Sequence, residues 1–201
     1  MILSIDTTSE FGSIALTEGN VVVEEIALHE TEGFGHVLYG HIQHLLEKNG
    51  VTVHQMECFA AASGPGSFTG VRVGLAAVKG LAEATGKRVV AVSNLRALAF
   101  FGTAPLRATV IDARRGEVYA AVYNSQLQLV VPEAVLKMDV WLPTLPAHNC
   151  EMISSISQPR ALAAAIGHIA WDDFNAGRSS DPAGIDANYV RRSDAELFWK
   201  E

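Results

Sequence analysis

Thiols are scarce in this chain of 201 residues, where Cys58 and Cys150 are the only cysteines. They lie far apart and lack the paired spacing of a zinc or thiol-redox site, which excludes a disulfide scaffold and a thiolate metal centre. Both are expected to be inert packing groups in a reducing compartment. Long apolar runs are missing as well: Gly, Lys or Arg interrupts each one well short of the ~20 residues that a bilayer span needs, so no membrane role is implied. The first residues enter a strand-like segment without a basic leader or a small-residue cleavage site, which argues against secretion and for a cytoplasmic protein. Basic charge is in deficit, with 15 Lys and Arg against 22 Asp and Glu and a formal net charge of -7. A nucleic acid would meet a mostly repulsive surface, so if the protein serves RNA another component grips it. What the chain does have is 49% hydrophobic residues with 18% charged. That excludes disorder and suffices for a core in one large or two small domains.

Residues 2–6, 12–17 and 21–28 read as three strands, separated by Thr-Thr-Ser-Glu and Glu-Gly-Asn turn chemistry. Leu38, Ile42, Leu45 and Leu46 then recur at the spacing of one helix face, and Asn49-Gly50 supplies the stop. A short buried strand over 58–63, a glycine-rich corner, a helix over 69–85 and a strand over 88–92 follow. The order is βββαβα with a further strand. The first three strands should pair antiparallel, and the later ones, alternating with helices, should be parallel crossovers.

The opening recurs: Thr109-Val110-Ile111-Asp112 matches Leu3-Ser4-Ile5-Asp6, a strand over 117–123 follows the second copy as the strand over 12–17 follows the first, and residues 127–135 supply a third. In both copies an apolar strand ends on Asp and a polar turn leads on. This outlines a duplicated, actin-like α/β fold of two ribonuclease H-like halves, with a first lobe over residues 1–102 and a second over 103–201. The second lobe reads as reduced. It offers a Pro- and His-rich irregular stretch over 142–148, one helix-like segment over 159–175, a Gly/Ser/Asp linker over 177–184, and a tail over 189–199 that packs back on the first lobe. A reduced lobe should leave a nucleotide in the interlobe cleft poorly enclosed.

Two segments carry candidate chemistry. Asp6, Thr7 and Thr8 sit on the turn after the first strand, where backbone N–H groups and hydroxyls can face a phosphate and the carboxylate a hydrated Mg ion. The same groups also suffice merely to satisfy a turn. Asp112 takes the equivalent place in the second copy. The other segment is Ser63-Gly64-Pro65-Gly66-Ser67-Phe68-Thr69-Gly70-Val71-Arg72-Val73-Gly74, a tight turn into a helix whose Ser67 or Thr69 can cap it and whose terminal N–H groups suit an anion. The Gly-Lys-Ser/Thr ending of a P-loop is missing. On the helix, Val71, Leu75, Val78 and Ala82 form an apolar face, with Gly70, Gly74 and Ala77 as a smooth neighbour. Each internal glycine costs ~1 kcal/mol relative to alanine, so the pair implies close approach by another backbone, either the first helix or a second subunit.

These stretches together, Ile2 to Thr8, the run from Gly64 to Gly74, and Ile111-Asp112-Ala113-Arg114-Arg115-Gly116-Glu117-Val118-Tyr119, resemble TsaB proteins, also called YeaZ, over nearly the whole chain. The resemblance implies a non-catalytic subunit that supports a TsaD-like carbamoyltransferase, with a TsaE-like ATPase subunit, in making threonylcarbamoyladenosine beside the anticodon of tRNA. It implies no cofactor of the chain's own, ATP and Mg being used by the complex, and tRNA contact only through that complex. The expected interface, for a homodimer when alone and for the TsaD-like partner, is Leu38, Ile42, Leu45, Gly70, Val71, Gly74, Ala77 and Val78. Asp6, Thr7, Thr8 and Asp112 are then a vestigial nucleotide contact. The chain departs from the family at Phe34, where many relatives have His, and at His36, where they have Glu.

Other chemistries fare worse. His36 and His41 stand about 140° apart on a helix and cannot share a metal, while His41 and His44 share a face without a third ligand. Ser63, Ser67 and Ser93 lack a Gly-x-Ser-x-Gly elbow. Arg114, Arg115, Arg191 and Arg192 form basic pairs read as solvated turn and tail charges. The alternative function is an autonomous ATP-dependent kinase or carbamoyltransferase using Asp6 and Asp112.

Overall fold

The computed structural model describes residues 1–146, 148–156 and 159–191; Arg192 and the tail beyond it lie outside them. Three antiparallel strands, β1 (Ile2–Asp6), β2 (Phe11–Glu18) and β3 (Val21–His29), lead to α1 (Leu38–Lys48), β4 (Cys58–Ala62), α2 (Phe68–Thr85) and β5 (Arg88–Val92). They form a five-stranded sheet in the order β3-β2-β1-β4-β5, with β4 parallel to β1 and to β5. Every residue of β1 and β4 is buried because both faces of the sheet are covered. Leu3, Ile5, Phe59 and Ala61 meet α1 and α2 on one side, and Ile2, Cys58, Ala60 and Ala62 face the opposite layer. A period-2 strand covered on both sides reads as a continuous apolar run.

The second copy repeats the first. After α3 (Asn94–Ala99) come β6 (Leu106–Arg114), β7 (Glu117–Asn124), β8 (Leu129–Lys137), a one-turn helix α4 (Met138–Trp141) and β9 (Cys150–Ser154). The sheet order β8-β7-β6-β9 reproduces β3-β2-β1-β4, and β9 lies parallel to β6 as β4 does to β1. This duplicated topology is the actin-like α/β fold, its second sheet one strand short. Sequence reading passed over α3, α4 and β9. The five residues of β9 follow the irregular Pro- and His-rich stretch, and Ile153 is the one buried residue among them, so no alternation marks them.

The largest departure concerns α5 (Ala163–Asn175). By chain order it belongs with the second copy, yet it packs on β1, β2, β4 and β5 of the first sheet. Its N-terminal N–H groups find acceptors far away in sequence: Leu162 and Ala163 donate to Ser13 Oγ at 3.1 and 2.9 Å, and Ala164 donates to Glu25 Oε1 at 2.8 Å. Ser4 Oγ donates to the Ala163 carbonyl at 2.6 Å. Polar side chains on otherwise apolar strands thus satisfy a helix end that would be costly to bury unpaired. Gly167 allows this approach, because a Cβ there would stand 2.8 Å from Thr17 Oγ1. Nearby, the buried carboxylate of Asp173 receives Arg96 from α3 at 2.6 Å and Arg178 at 2.7 Å. Burial opposes its ionisation, but the hydrogen bonds from the two guanidinium groups outweigh that and hold its pKa below the usual carboxylate value.

Candidate functional site

Between the two sheets lies a cleft of ≈ 480 Å³ lined by Asp6 and Thr8 at the end of β1, Asn94 at the start of α3, Asp112 and Arg114 near the end of β6, and Arg160. The strand-then-Asp repeat of the sequence therefore converges on one place, since Asp6 ends β1 and Asp112 stands two residues before the end of β6, where its pairing with β7 shifts register. Their surroundings differ. Asp6 is 2% exposed, and desolvation raises its pKa despite hydrogen bonds from the Thr8 hydroxyl (2.6 Å) and amide (2.9 Å). Asp112 is exposed and accepts from the Arg114 amide at 2.8 Å.

The groups that a phosphate loop would offer are turned inward. Thr8 N and Oγ1 both donate to Asp6 Oδ1, Asn94 Nδ2 donates to Thr8 Oγ1 at 2.7 Å, and Thr7 Oγ1 donates to the Gly70 carbonyl at 2.7 Å. Thr7 does not line the cleft. The glycine-rich corner is built against the same turn: Ser67 N donates to the Thr8 carbonyl at 2.7 Å, and a Cβ on Gly66 or Gly70 would collide with Thr8 or with the Thr7 carbonyl. Ser67 Oγ accepts from Gly70 N as the cap of α2. Gly64, at φ +99, takes a left-handed conformation that favours glycine.

The expected partner face requires correction. Leu38, Ile42, Leu45, Val71, Gly74, Ala77 and Val78 are buried in the chain's own core, and Gly70 packs on Thr7. The backbone that approaches Gly70 and Gly74 is the turn after β1: a Cβ on Gly74 would stand 2.7 Å from Thr7 Oγ1. The solvent face of these helices includes instead Tyr39, Gly40 and Gln43 on α1 with Arg72, Ala76 and Gly80 on α2. Phe34 is likewise a core residue, its ring filling the space over Gly12, whereas His36 is exposed.

Two further residues escaped the sequence reading. Asn94 exchanges bonds with the corner, donating its N–H to the Gly64 carbonyl at 2.8 Å and accepting from Gly64 N through Oδ1 at 2.9 Å. The Ser93 cap before it was the available signal. Glu133 on β8 accepts from Ser93 Oγ, from Tyr123 OH at 2.5 Å and from Asn188 Nδ2 at 2.6 Å, tying both copies to the C-terminal segment. Nothing in the sequence around an edge-strand Pro-Glu marks it. Ser93 is thus a helix cap rather than a nucleophile paired with His. The Cys58 thiol, pushed up to about 12 by burial, and the raised Cys150 thiol are poor nucleophiles. Among the described residues no three His, Cys, Asp or Glu side chains gather as a metal group, and no helix is long and apolar enough to cross a membrane.

Comparison with known proteins gives this geometry a lineage. The family model described as TsaD, tRNA N6-adenosine threonylcarbamoyltransferase, matches residues 31–167. A Haemophilus influenzae protein named tRNA threonylcarbamoyladenosine biosynthesis protein TsaB is 35% identical over 182 residues, 86% of this chain and 75% of that protein. The chain belongs to the TsaB family. The Bacillus subtilis TsaB of the same name is 33% identical over 72% of this chain, and the chain spans 65% of that relative's length. In structure, a Pseudomonas aeruginosa protein described as uncharacterized with similarity to the peptidase YeaZ superposes with a TM-score of 0.80 at 25% identity, covering 94% of this chain and 99% of the other.

Proposed function

We propose that this chain is a non-catalytic partner subunit that supports a TsaD-like carbamoyltransferase in forming threonylcarbamoyladenosine beside the anticodon of tRNA. Membership of the TsaB family, with a Haemophilus relative named for that biosynthesis, carries the reading. The inward-turned hydroxyls of Thr7 and Thr8 support a supporting rather than a catalytic role. Asp6, Thr8 and Asp112, which line the cleft, form a vestige of a nucleotide contact that Thr7 has left by turning to Gly70. ATP and Mg are used by the complex, which includes a TsaE-like ATPase subunit, and the assembly works in the cytoplasm and brings the chain to its tRNA. The chain pairs with itself when alone. In both pairings the contact is the solvent face of α1 and α2, around Gly40, Ala76 and Gly80, in place of the buried residues that the sequence suggested. Related folds often meet through equivalent faces, so the two pairings compete.

Ala76→Arg tests the contact, because the site is exposed and the substitution adds bulk and charge where helices would meet. The heterodimer should weaken by about 1–3 kcal/mol in titration calorimetry with unchanged melting of the isolated chain; unchanged affinity removes this surface from the proposal. Nucleoside analysis of tRNA from cells depleted of the protein tests the function. Undiminished threonylcarbamoyladenosine, with no paralogue present, would sink it. The convergence of Asp6 and Asp112 on one cleft favours a second reading as an autonomous ATP-using enzyme, and multiple-turnover ATP hydrolysis lost in Asp112→Ala would establish that instead.

A further inference from the structure

Residues 187–191 return to the start of α2 and close a second crevice of ≈ 180 Å³, which shares Pro65, Gly66 and Tyr119 with the cleft. Among the described residues its lining contains no Asp or Glu, in a chain that has 22 of them. It holds Arg115 and Arg191 beside the rings of Phe68, Tyr119 and Tyr189. A third guanidinium stands at the rim: Arg72 lies 3.4 Å from the Phe68 ring centroid and donates to the Tyr189 hydroxyl at 2.8 Å. Arg72 forms no ion pair among the described residues, whereas Arg191 is paired with Glu117 and lies 5.7 Å from the Tyr119 centroid. Phe68 and Tyr189 remain 55% and 49% exposed. The walls are preorganised, since Asn188 N donates to the Ser63 carbonyl at 2.7 Å, its side-chain amide to Glu133, and Gly64 exchanges two bonds with Asn94.

A lining without acidic groups, with Arg72 at its rim outside any ion pair among the described residues, favours an anion, and the three rings select a planar one. A simple carboxylate or phosphate would use the arginines and leave the aromatic lining idle. The volume lies below the ~300 Å³ of sites that enclose a whole drug-sized ligand, so it encloses one ring of a ligand whose remaining atoms lie at the mouth, where Arg72 stands. Aromatic faces with guanidinium groups are the usual means of holding an unpaired nucleotide, stacking the base and neutralising the phosphate. We propose that this crevice is a nucleotide-binding site separate from the interlobe cleft, taking one unpaired nucleotide of an RNA strand. The net charge of -7 keeps the rest of an RNA at a distance, so binding by the chain alone is weak and sensitive to salt. Nothing in the lining depends on the subunit role proposed above, and the binding is measurable on the isolated full-length chain.

The test is an anisotropy titration of labelled single-stranded RNA at low salt, with AMP as competitor, alongside saturation-transfer NMR of AMP on the wild-type chain. The RNA should bind and AMP should displace it. Phe68→Ala should weaken binding about ten-fold, the loss of one base–aromatic stack. Arg72→Gln should flatten the slope of log affinity against log salt by about 0.7, one phosphate contact to a single strand. Lys48→Gln, on exposed α1 outside the crevice, should bind as the wild type does. AMP binding as tight as RNA binding keeps the site and identifies a free nucleotide as its source. The proposal fails if neither ligand binds at millimolar AMP, or if Lys48→Gln loses as much affinity as Phe68→Ala in variants whose melting is unchanged.

Discussion

The clearest perturbation concerns Gly74 and Thr7, because their contact decides whether the smooth side of α2 is core or surface. A methyl at position 74 would lie 2.7 Å from Thr7 Oγ1, and Thr7 is 2% exposed with its hydroxyl given to the Gly70 carbonyl, so it has little room to yield. Gly74→Ala gains ~1 kcal/mol in helix propensity and loses about 1–3 kcal/mol to overpacking. Thr7→Ala alone removes a hydrogen bond, at about 0.5–1.5 kcal/mol, while the Gly70 carbonyl inside α2 keeps its helical partner. With Thr7→Ala already in place the methyl at position 74 enters vacated space, so only the propensity gain remains. The double variant should therefore be more stable than the sum of the singles by about 1–3 kcal/mol, a coupling well above the ~0.5 kcal/mol scatter of independent sites. Urea unfolding of the four proteins measures it, and in a chain of this length each kcal/mol corresponds to about 2–4 °C in Tm. Additive effects would refute the packing argument. They would return Gly74 to the candidate partner surface, where the substitution should change association and leave stability alone.

Two further outcomes test the way α5 is held. Ser13→Ala removes the acceptor for two N–H groups at the helix start and should cost about 1–2 kcal/mol in urea unfolding, and Ser13→Thr, which restores a hydroxyl, should recover part of it. Asp173 has a lowered pKa in the folded chain, so its contribution is present above the unfolded carboxylate value and is lost as pH falls through the folded one. The wild type should thus lose Tm more steeply than Asp173→Asn on acidification below about pH 4; at neutral pH the variant should be less stable by about 3 kcal/mol, because it leaves the partly buried Arg96 unpaired. Parallel pH profiles would show that the triad contributes nothing.

Much of the architecture was legible because it rests on local rules. Alternation of apolar residues, turn residues after each strand and one-face helical spacing are written into neighbouring positions, and they sufficed for β1 to β5, α1, α2 and the duplicated strand-then-Asp opening. That duplication also pointed to Asp6 and Asp112 as one site. The actual directions of side chains were another matter. A helix with two adjoining smooth and apolar faces reads the same whether the second face meets a partner or its own sheet, and the choice fell to Thr7, which is 67 residues away from Gly74 in sequence. Likewise α5 is an apolar helix by composition, but the acceptors at its start belong to β2 and β3, so no local pattern could place it on the first sheet. Glu133 became a junction only when β8 met α3 and the C-terminal segment, and the arginine and aromatic crevice exists only because residues 187–191 return to α2. Sequence periodicity by itself determined β1 to β5, α1 and α2 and that the chain is a duplicated α/β protein, because those outcomes depend on residues close in the chain. Tertiary structure alone decided which faces are core and which groups share a site, because burial and hydrogen bonding join residues that chain order keeps apart.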